Sequence, residues 1–192
     1  MGKQRVLYSH GPQDLNNLVQ LVKEDWTTNS RELSSPGFQA LLVYRVGSWG
    51  LGKRPPLRHA VTLFYNIVYR LVRNLYGIDL PRHARVGRRL RVAHTGIVLA
   101  AQASIGSDCT LRHNVTIGRT DRHRREGNRA PVVGNRVEFS PGVVAIGPVQ
   151  IGNDVRLGPN SVIMSDIQAG HTVFASPSKI LKPFGDPRQE PT

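Results

Sequence analysis

An apolar residue recurs at every sixth position through most of the second half of the chain. A period of six sustained over this length is typical of short strands joined by tight turns, three of which form one triangular coil of about eighteen residues. The recurring side chains point inward and stack on the coils above and below. Two runs of six hits favour such a repeat over unrelated strands in a sandwich. The recurring positions are Val86, Val92, Leu99, Ile105, Leu111 and Ile117, then Val133, Phe139, Ala145, Ile151, Leu157 and Ile163.

The spacing slips once inside this pattern. Val92 and Leu99 are seven residues apart, whereas the other uninterrupted steps span six, and His94 lies at the slip. An extra residue makes the backbone bulge outward, as a bulge does in a β-ladder. We therefore expect His94 to be lifted from the coil wall toward a groove. The alternative is a polar surface residue in a loose turn.

The chain before the repeat is predicted to be helical. Residues 36–52 are framed by Pro36 and by Gly50 and Gly52, with apolar residues spaced by three and four. Residues 57–76 read as a longer helix with Gly77 as its stop. A shorter helix is expected around Leu18. The predicted division is a helical N-terminal region over 1–77, a β-repeat over 78–182 with a protruding loop at 118–132, and a C-terminal tail over 183–192.

The charge of the chain favours anionic partners. The net charge is +13 over 192 residues. The arginines cluster in the loop and on the first coil without interleaved aromatic residues for base stacking, so nucleic acid is not the expected partner. Peripheral contact of a basic helical face with acidic lipid is a separate possibility. The seven histidines are scattered without cysteine or carboxylate at ligand spacing, so no metal site is expected.

The expected compartment is the cytoplasm. The single cysteine, Cys109, excludes an intrachain disulfide framework. The first residues lack the apolar run of a signal peptide. No uncharged apolar run reaches the ~18 residues that a membrane-spanning helix needs.

The repeat, together with PGFQALLVYRVGSW and GIDLPRHARVGRRLRVAH, resembles the serine O-acetyltransferases. Within that family it is most similar to the short serine-acetyltransferase-like enzymes of exopolysaccharide gene clusters. The resemblance covers residues 24–182. It implies a mainly β fold, a left-handed parallel β-helix of hexapeptide repeats preceded by α-helices. It also implies acetyl-CoA as donor, and a homotrimer or dimer of trimers with active sites between neighbouring β-helices.

Acetyl transfer from a thioester to a hydroxyl requires a base, because the alcohol proton must leave as its oxygen attacks. Histidine is the side chain that titrates near neutral pH. The family pairs its catalytic histidine with an aspartate fifteen residues earlier, which orients the ring. Here Asp79 precedes His94 by fifteen residues. The resemblance therefore implies that His94 is the general base and Asp79 its partner. The alternative for Asp79 is a structural role as a turn residue after Gly77.

The acceptor side departs from the family pattern. Ala93 stands where an acidic residue commonly precedes the catalytic histidine, and GNRAPVV replaces a GDRHPKI-like stretch, which keeps Arg129 but has Ala130 instead of histidine. The resemblance implies substrate contacts from Arg129, from Asp25 and from His113 near the thioester. Serine or a serine-like small alcohol is one acceptor. A sugar hydroxyl of an exopolysaccharide precursor is another, and a non-catalytic scaffold is the alternative of a different class.

The resemblance also implies a donor groove. The loop over 118–132 carries several arginines, which suit the phosphates of CoA or an anionic acceptor, although a solvated basic loop is the competing interpretation. A proline in the groove keeps its carbonyl but has no N–H to donate. The implied donor-binding residues are Gly118, Arg119, Thr120, Pro141, Gly142, Pro159 and Lys179.

Overall fold

The computed structural model describes residues 12, 14–120 and 130–176. Three helices come first: α1 Leu15–Thr28, α2 Pro36–Leu51 and α3 Leu57–Tyr76. Short strands follow. They are β1 Ile78–Asp79, β2 Arg85–Val86, β3 Arg91–Val92, β4 Ile97–Leu99, β5 Ser104–Ile105, β6 Thr110–Leu111, β7 Thr116–Gly118, β8 Val132–Val133, β9 Glu138–Phe139, β10 Val144–Ile146, β11 Gln150–Ile151, β12 Arg156–Leu157, β13 Val162–Ile163 and β14 Thr172–Val173.

The strands form three parallel sheets that make up the walls of a triangular prism. Sheet A has the order β1-β4-β7-β10-β13, sheet B the order β2-β5-β8-β11 and sheet C the order β3-β6-β9-β12-β14. Hydrogen-bonded neighbours mostly differ by three in strand number, so each coil supplies one strand to each sheet. The predicted left-handed parallel β-helix with a helical N-terminal region is confirmed.

The hexapeptide positions build the core. Leu99 pairs in register with Ile117, and Leu111 with Phe139, so equivalent side chains lie directly above one another. All four side chains are buried. Cys109, in the turn that leads into β6, is also buried. Each inward side chain packs against the coils on either side, which is why stability in such a repeat comes from stacking.

The helices cover the first coil, which would otherwise expose its edge. The Asn29 Nδ2 donates to the Leu90 carbonyl at 3.0 Å, and its Oδ1 accepts from the Val92 N–H at 2.9 Å. Helix α2 lies so close to this coil that a Cβ on Gly37 would come within 2.2 Å of the Val92 carbonyl oxygen. Gly77, with φ 64°, ends α3 and leads directly into β1.

Several arginines of the first coil are held by neighbouring side chains. Arg88 forms a two-pronged ion pair with Glu24 of α1, and Arg89 does so with Asp108 at 2.6 and 2.7 Å. The guanidinium of Arg82 lies over the Tyr65 ring at 4.9 Å. These arginines of the first coil therefore help to hold the helices and coils together.

Candidate active site

One corner of the prism carries most of the predicted site residues. The turns from sheet C to sheet A stack there through backbone hydrogen bonds, in which the Gly142 N–H donates to the His113 carbonyl at 3.1 Å and the Asn160 N–H to the Pro141 carbonyl at 2.9 Å. We call this the histidine corner. It comprises residues 93–96, 112–115, 140–143 and 158–161. The predicted site residues that it brings into one column are His94, His113, Pro141, Gly142 and Pro159.

His94 is the extra residue in this column. The Ala93 N–H donates to the Leu111 carbonyl, and the Asn114 N–H donates to the Thr95 carbonyl, so the residues on both sides of His94 keep their partners in the next coil. Within the described part of the chain no such backbone bond is seen for His94, whose φ is 77° and whose side chain is exposed. A positive φ is uncommon for a residue with a Cβ and costs conformational energy. The slip in the repeat therefore produces a bulge that projects an imidazole from the coil.

A second imidazole lies beside the first. The rings of His94 and His113 are 5.7 Å apart between centroids, with an angle of 74° between their planes. Both side chains are exposed. The corner thus offers two solvent-accessible imidazoles, one of which can take up a proton while the other donates a hydrogen bond.

Asp79 lies on the outer face of sheet A in the first coil, beside Val98 of the second coil. Its carboxylate accepts a hydrogen bond from the Tyr69 hydroxyl of α3. Burial, reinforced by this hydrogen bond, raises the pKa of the Tyr69 phenol, so it stays protonated as a donor. Within the described chain no hydrogen bond joins Asp79 to His94. Catalytic hydrogen bonds often tighten only when substrate is bound.

Tyr69 was not among the predicted site residues. The ring stacks on that of Tyr65 with centroids 5.1 Å apart, and the Arg73 guanidinium lies 5.6 Å from its centroid. A tyrosine near the end of a helix, just before the strand that bears the predicted acid, was the signal available. Its contact with Asp79 depends on the angle at which α3 meets β1, which the linear pattern does not specify.

The prediction that Asp25 contacts the substrate is corrected by its position in the structure. It is 1% exposed and forms an ion pair with Arg45, which is 2% exposed, through an Nε–Oδ2 hydrogen bond of 2.8 Å. Burial raises the pKa of Asp25, and the Arg45 guanidinium opposes that rise. Arg45 also donates to the Val86 and Gly87 carbonyls. A carboxylate with no open surface cannot contact a substrate, so we assign Asp25 a structural role in attaching α1 and α2 to the first coil.

The other described donor residues lie at the opposite end of the sheet A strands from the histidine corner. Gly118 ends β7, and its carbonyl accepts from the Gly147 N–H at 3.2 Å. Arg119 and Thr120 follow it, the first of them exposed. A Cβ on Gly147 would touch the Thr120 side chain at 3.6 Å. The two groups of predicted donor residues therefore flank one sheet.

Two predicted residues, Arg129 and Lys179, and most of the basic loop lie outside the described residues. Ala130, at the end of that loop, is buried. In the described ranges no cluster of three or more histidine, cysteine or carboxylate side chains is suited to hold a metal ion. None of the helices in these ranges is both long enough and apolar enough to cross a bilayer.

Comparisons with known proteins agree with this architecture. The family model for bacterial transferase hexapeptide (six repeats) matches residues 130–165. The chain is 36% identical over 140 residues to a serine acetyltransferase of Helicobacter pylori, a match that covers 69% of this chain and 75% of the relative. It is 30% identical over 148 residues to a serine acetyltransferase of Synechococcus elongatus, covering 77% of this chain but only 53% of that enzyme.

Solved structures give the same result at the level of fold. The serine acetyltransferase isoform 3 of Entamoeba histolytica, in complex with cysteine, superposes with a TM-score of 0.70 at 22% identity, covering 88% of this chain and 62% of that one. The soybean serine acetyltransferase complexed with serine gives 0.69 at 25% identity, covering 85% and 69%. The chain thus spans between about half and three quarters of the length of these relatives.

Proposed function

The chain belongs to the serine acetyltransferase family, and from that premise we propose that it transfers an acetyl group from acetyl-CoA to an acceptor hydroxyl, with His94 as the general base. The observation that carries the proposal is the exposed His94 imidazole, which lies at the one-residue slip between Val92 and Leu99, beside the imidazole of His113. Acetyl-CoA supply and the single buried thiol of Cys109 both fit a cytoplasmic enzyme.

The proposed chemistry needs one base and one stabiliser of negative charge. His94 takes the hydroxyl proton as the acceptor oxygen attacks the thioester carbonyl. The tetrahedral intermediate then collapses with release of the CoA sulfur, and the protonated His94 returns the proton to that sulfur. In this proposal His113 donates a hydrogen bond to the thioester oxygen as it gains charge. Asp79 orients His94 in the substrate complex, with Tyr69 holding the carboxylate.

The donor is proposed to lie along sheet A. Gly118, Arg119 and Thr120 lie at one end of the sheet A strands. Pro141, Gly142 and Pro159 of the histidine corner lie at the other end. Lys179 and Arg119 suit the phosphates of CoA, and Arg129 suits a carboxylate or phosphate of the acceptor. The proposed assembly is the homotrimer or dimer of trimers that the resemblance implies, in which a neighbouring β-helix would close the outer side of this groove.

The proposed acceptor is serine or a serine-like small alcohol, in keeping with the relatives. A specific observation favours a second candidate, a sugar hydroxyl of an exopolysaccharide precursor. The chain has fewer side chains that could recognise the ammonium and carboxylate of serine. Asp25 is buried in an ion pair, and residues 93 and 130 are alanines. A neutral acceptor needs neither charge.

The test is acceptor-dependent release of free CoA thiol, with the acetyl ester identified by mass spectrometry. Serine, homoserine and a panel of sugars serve as acceptors. The His94→Ala variant is expected to lose about 10²–10⁴-fold in kcat, the usual contribution of a general base. His171→Ala is the matched control, because His171 is also exposed but lies at another corner, after β13.

Four outcomes separate the hypotheses. Release that requires serine and depends on His94 supports the first acceptor, and release that requires a sugar supports the second. Acceptor-dependent release that survives His94→Ala contradicts the base assignment. No release with any acceptor favours a non-catalytic scaffold.

A further inference from the structure

Helix α3 has an exposed apolar side along its whole length. Six large apolar residues on it are between 47% and 72% exposed, while Tyr65 and Val72 on the other side are buried. The exposed positions recur at steps of one, three, four and six, so they share one side of the helix. This outer stripe runs for about 27 Å at 1.5 Å per residue. Its members are Leu57, Leu63, Phe64, Ile67, Leu71 and Leu75.

The charges around the outer stripe have one sign. From residue 33 to residue 78 the sequence contains no aspartate or glutamate. Exposed arginines lie before the helix and along it, at Arg54, Arg58, Arg70 and Arg73. Two exposed arginines elsewhere in the described chain, Arg89 and Arg136, have carboxylate partners. The α3 surface is therefore both apolar and uncompensated in charge.

A symmetric contact between the outer stripes of two copies does not match this surface. Two outer stripes packed face to face would bring like-charged arginines together with no carboxylate on either helix to pair them, and like charges at an interface disfavour association. An anionic bilayer supplies both properties that the surface lacks, negative charge at the headgroups and an apolar layer just below. A helix with one apolar side and basic residues on the other lies in the plane of such a surface.

We propose that α3 docks lengthwise on an anionic lipid bilayer, with the outer stripe inserted at the boundary between headgroups and acyl chains and its arginines in contact with lipid phosphates. This goes beyond the proposed acetyl transfer and does not depend on it. The binding is peripheral, because no helix of the described residues meets the requirements of a membrane span.

The test is co-sedimentation of the full chain with lipid vesicles. Vesicles of phosphatidylcholine with phosphatidylglycerol are compared with vesicles of phosphatidylcholine alone, at low and high salt. We expect binding to the anionic vesicles, weaker binding at high salt because screening reduces attraction between surface charges, and little binding to the neutral vesicles. Failure of the wild-type chain to bind anionic vesicles overturns the proposal.

Two pairs of variants localise the binding. The Phe64→Ser/Ile67→Ser variant removes apolar surface from the outer stripe, and its control Val162→Ser/Met164→Ser removes comparably exposed apolar residues of the β-helix, 63% and 71% exposed. The Arg58→Glu/Arg70→Glu variant reverses charge on α3. Its control, Arg91→Glu/Arg156→Glu, makes the same change in net charge on sheet C.

Both α3 variants are expected to lose at least about tenfold in partitioning to anionic vesicles, since each basic residue near such a surface contributes measurably. Both controls are expected to bind as the wild type does. Equal loss in the charge-reversed variant and its control would mean that net charge alone drives binding. Equal loss in the Phe64→Ser/Ile67→Ser variant and its control would mean that exposed apolar area anywhere on the chain drives it. Either result would overturn the proposal. The outer stripe is instead an interface between copies if the wild-type chain does not bind vesicles and the Phe64→Ser/Ile67→Ser variant has a different molecular mass by light scattering.

Discussion

Replacing Arg45 by methionine should destabilise the helical region strongly. Arg45 is 2% exposed and donates four hydrogen bonds, two to Asp25 at 2.8 and 3.3 Å, one to the Val86 carbonyl at 2.9 Å and one to the Gly87 carbonyl at 2.6 Å. Methionine fills similar volume but donates none of them. It leaves a buried carboxylate without a counter-ion, which costs about 3–5 kcal/mol. That is a large part of the ~5–15 kcal/mol that stabilises a typical domain.

The pH dependence of this effect follows from Asp25. Burial already raises its pKa, and removal of the opposing Arg45 raises it further. A carboxyl whose folded pKa lies above its unfolded value stabilises the folded state at pH below the unfolded pKa, and that contribution is lost as pH rises through the folded pKa. The deficit of Arg45→Met relative to the wild type should therefore be smallest in acid and grow toward neutral pH.

Urea denaturation at several pH values measures this deficit, with fluorescence of Trp26 in α1 and Trp49 in α2 as the probe. Asp25→Leu/Arg45→Met removes both charges and should recover much of the lost stability. Arg136→Met breaks an exposed ion pair with Asp154 and should change nothing measurable. A deficit below about 1 kcal/mol that is also independent of pH would refute the reasoning, because it would mean that the pair is solvated in solution.

Three further predictions concern other contacts. Tyr69→Phe keeps the ring but removes the hydroxyl that binds Asp79. The kcat should fall about tenfold, as for loss of a hydrogen bond to a charged group, and the pH profile of kcat should shift. An unchanged pH profile would argue against a positioning role for Tyr69. Burial raises the pKa of Cys109 to about 11, so iodoacetamide at pH 8 should modify it slowly in the folded chain and rapidly in urea; equal rates would contradict the burial. Gly37→Ala should lower the Tm by several degrees because its Cβ meets a backbone oxygen at 2.2 Å, whereas Gly52→Ala, with its nearest atom at 3.8 Å, should not.

The fold was predictable because the repeat determines its own packing. When Leu99 and Ile117 occupy the same place in the period, stacking of coils brings them together, and the structure pairs them in register. The position of His94 at a bulge followed from the same counting. Gly77 also marked the end of the helical region, since its φ of 64° is one that glycine adopts without strain.

The failures concern contacts between the helices and the first coil. Asp25 was expected to contact the substrate because of the resemblance to the family. Whether such a carboxylate is exposed depends on how α1 packs against Arg45, which is a tertiary property. Tyr69 was missed for the same reason. A periodic repeat predicts its neighbours from spacing alone, whereas helix packing angles are set by many side chains at once.

A strictly periodic β-helix repeats one environment in every coil, so a unique site requires a break in the period. Between Val86 and Ile163 the sequence has two breaks in its period of six. One is the single residue inserted at His94. The other is the loop after Thr120, which makes Ile105 pair with a residue 28 positions later, whereas Leu99 pairs with one 18 positions later. The two breaks lie at opposite edges of sheet A, so the surface between them is where the chain differs most from its own repeat, and a substrate that touches both edges would be recognised there and at no other coil.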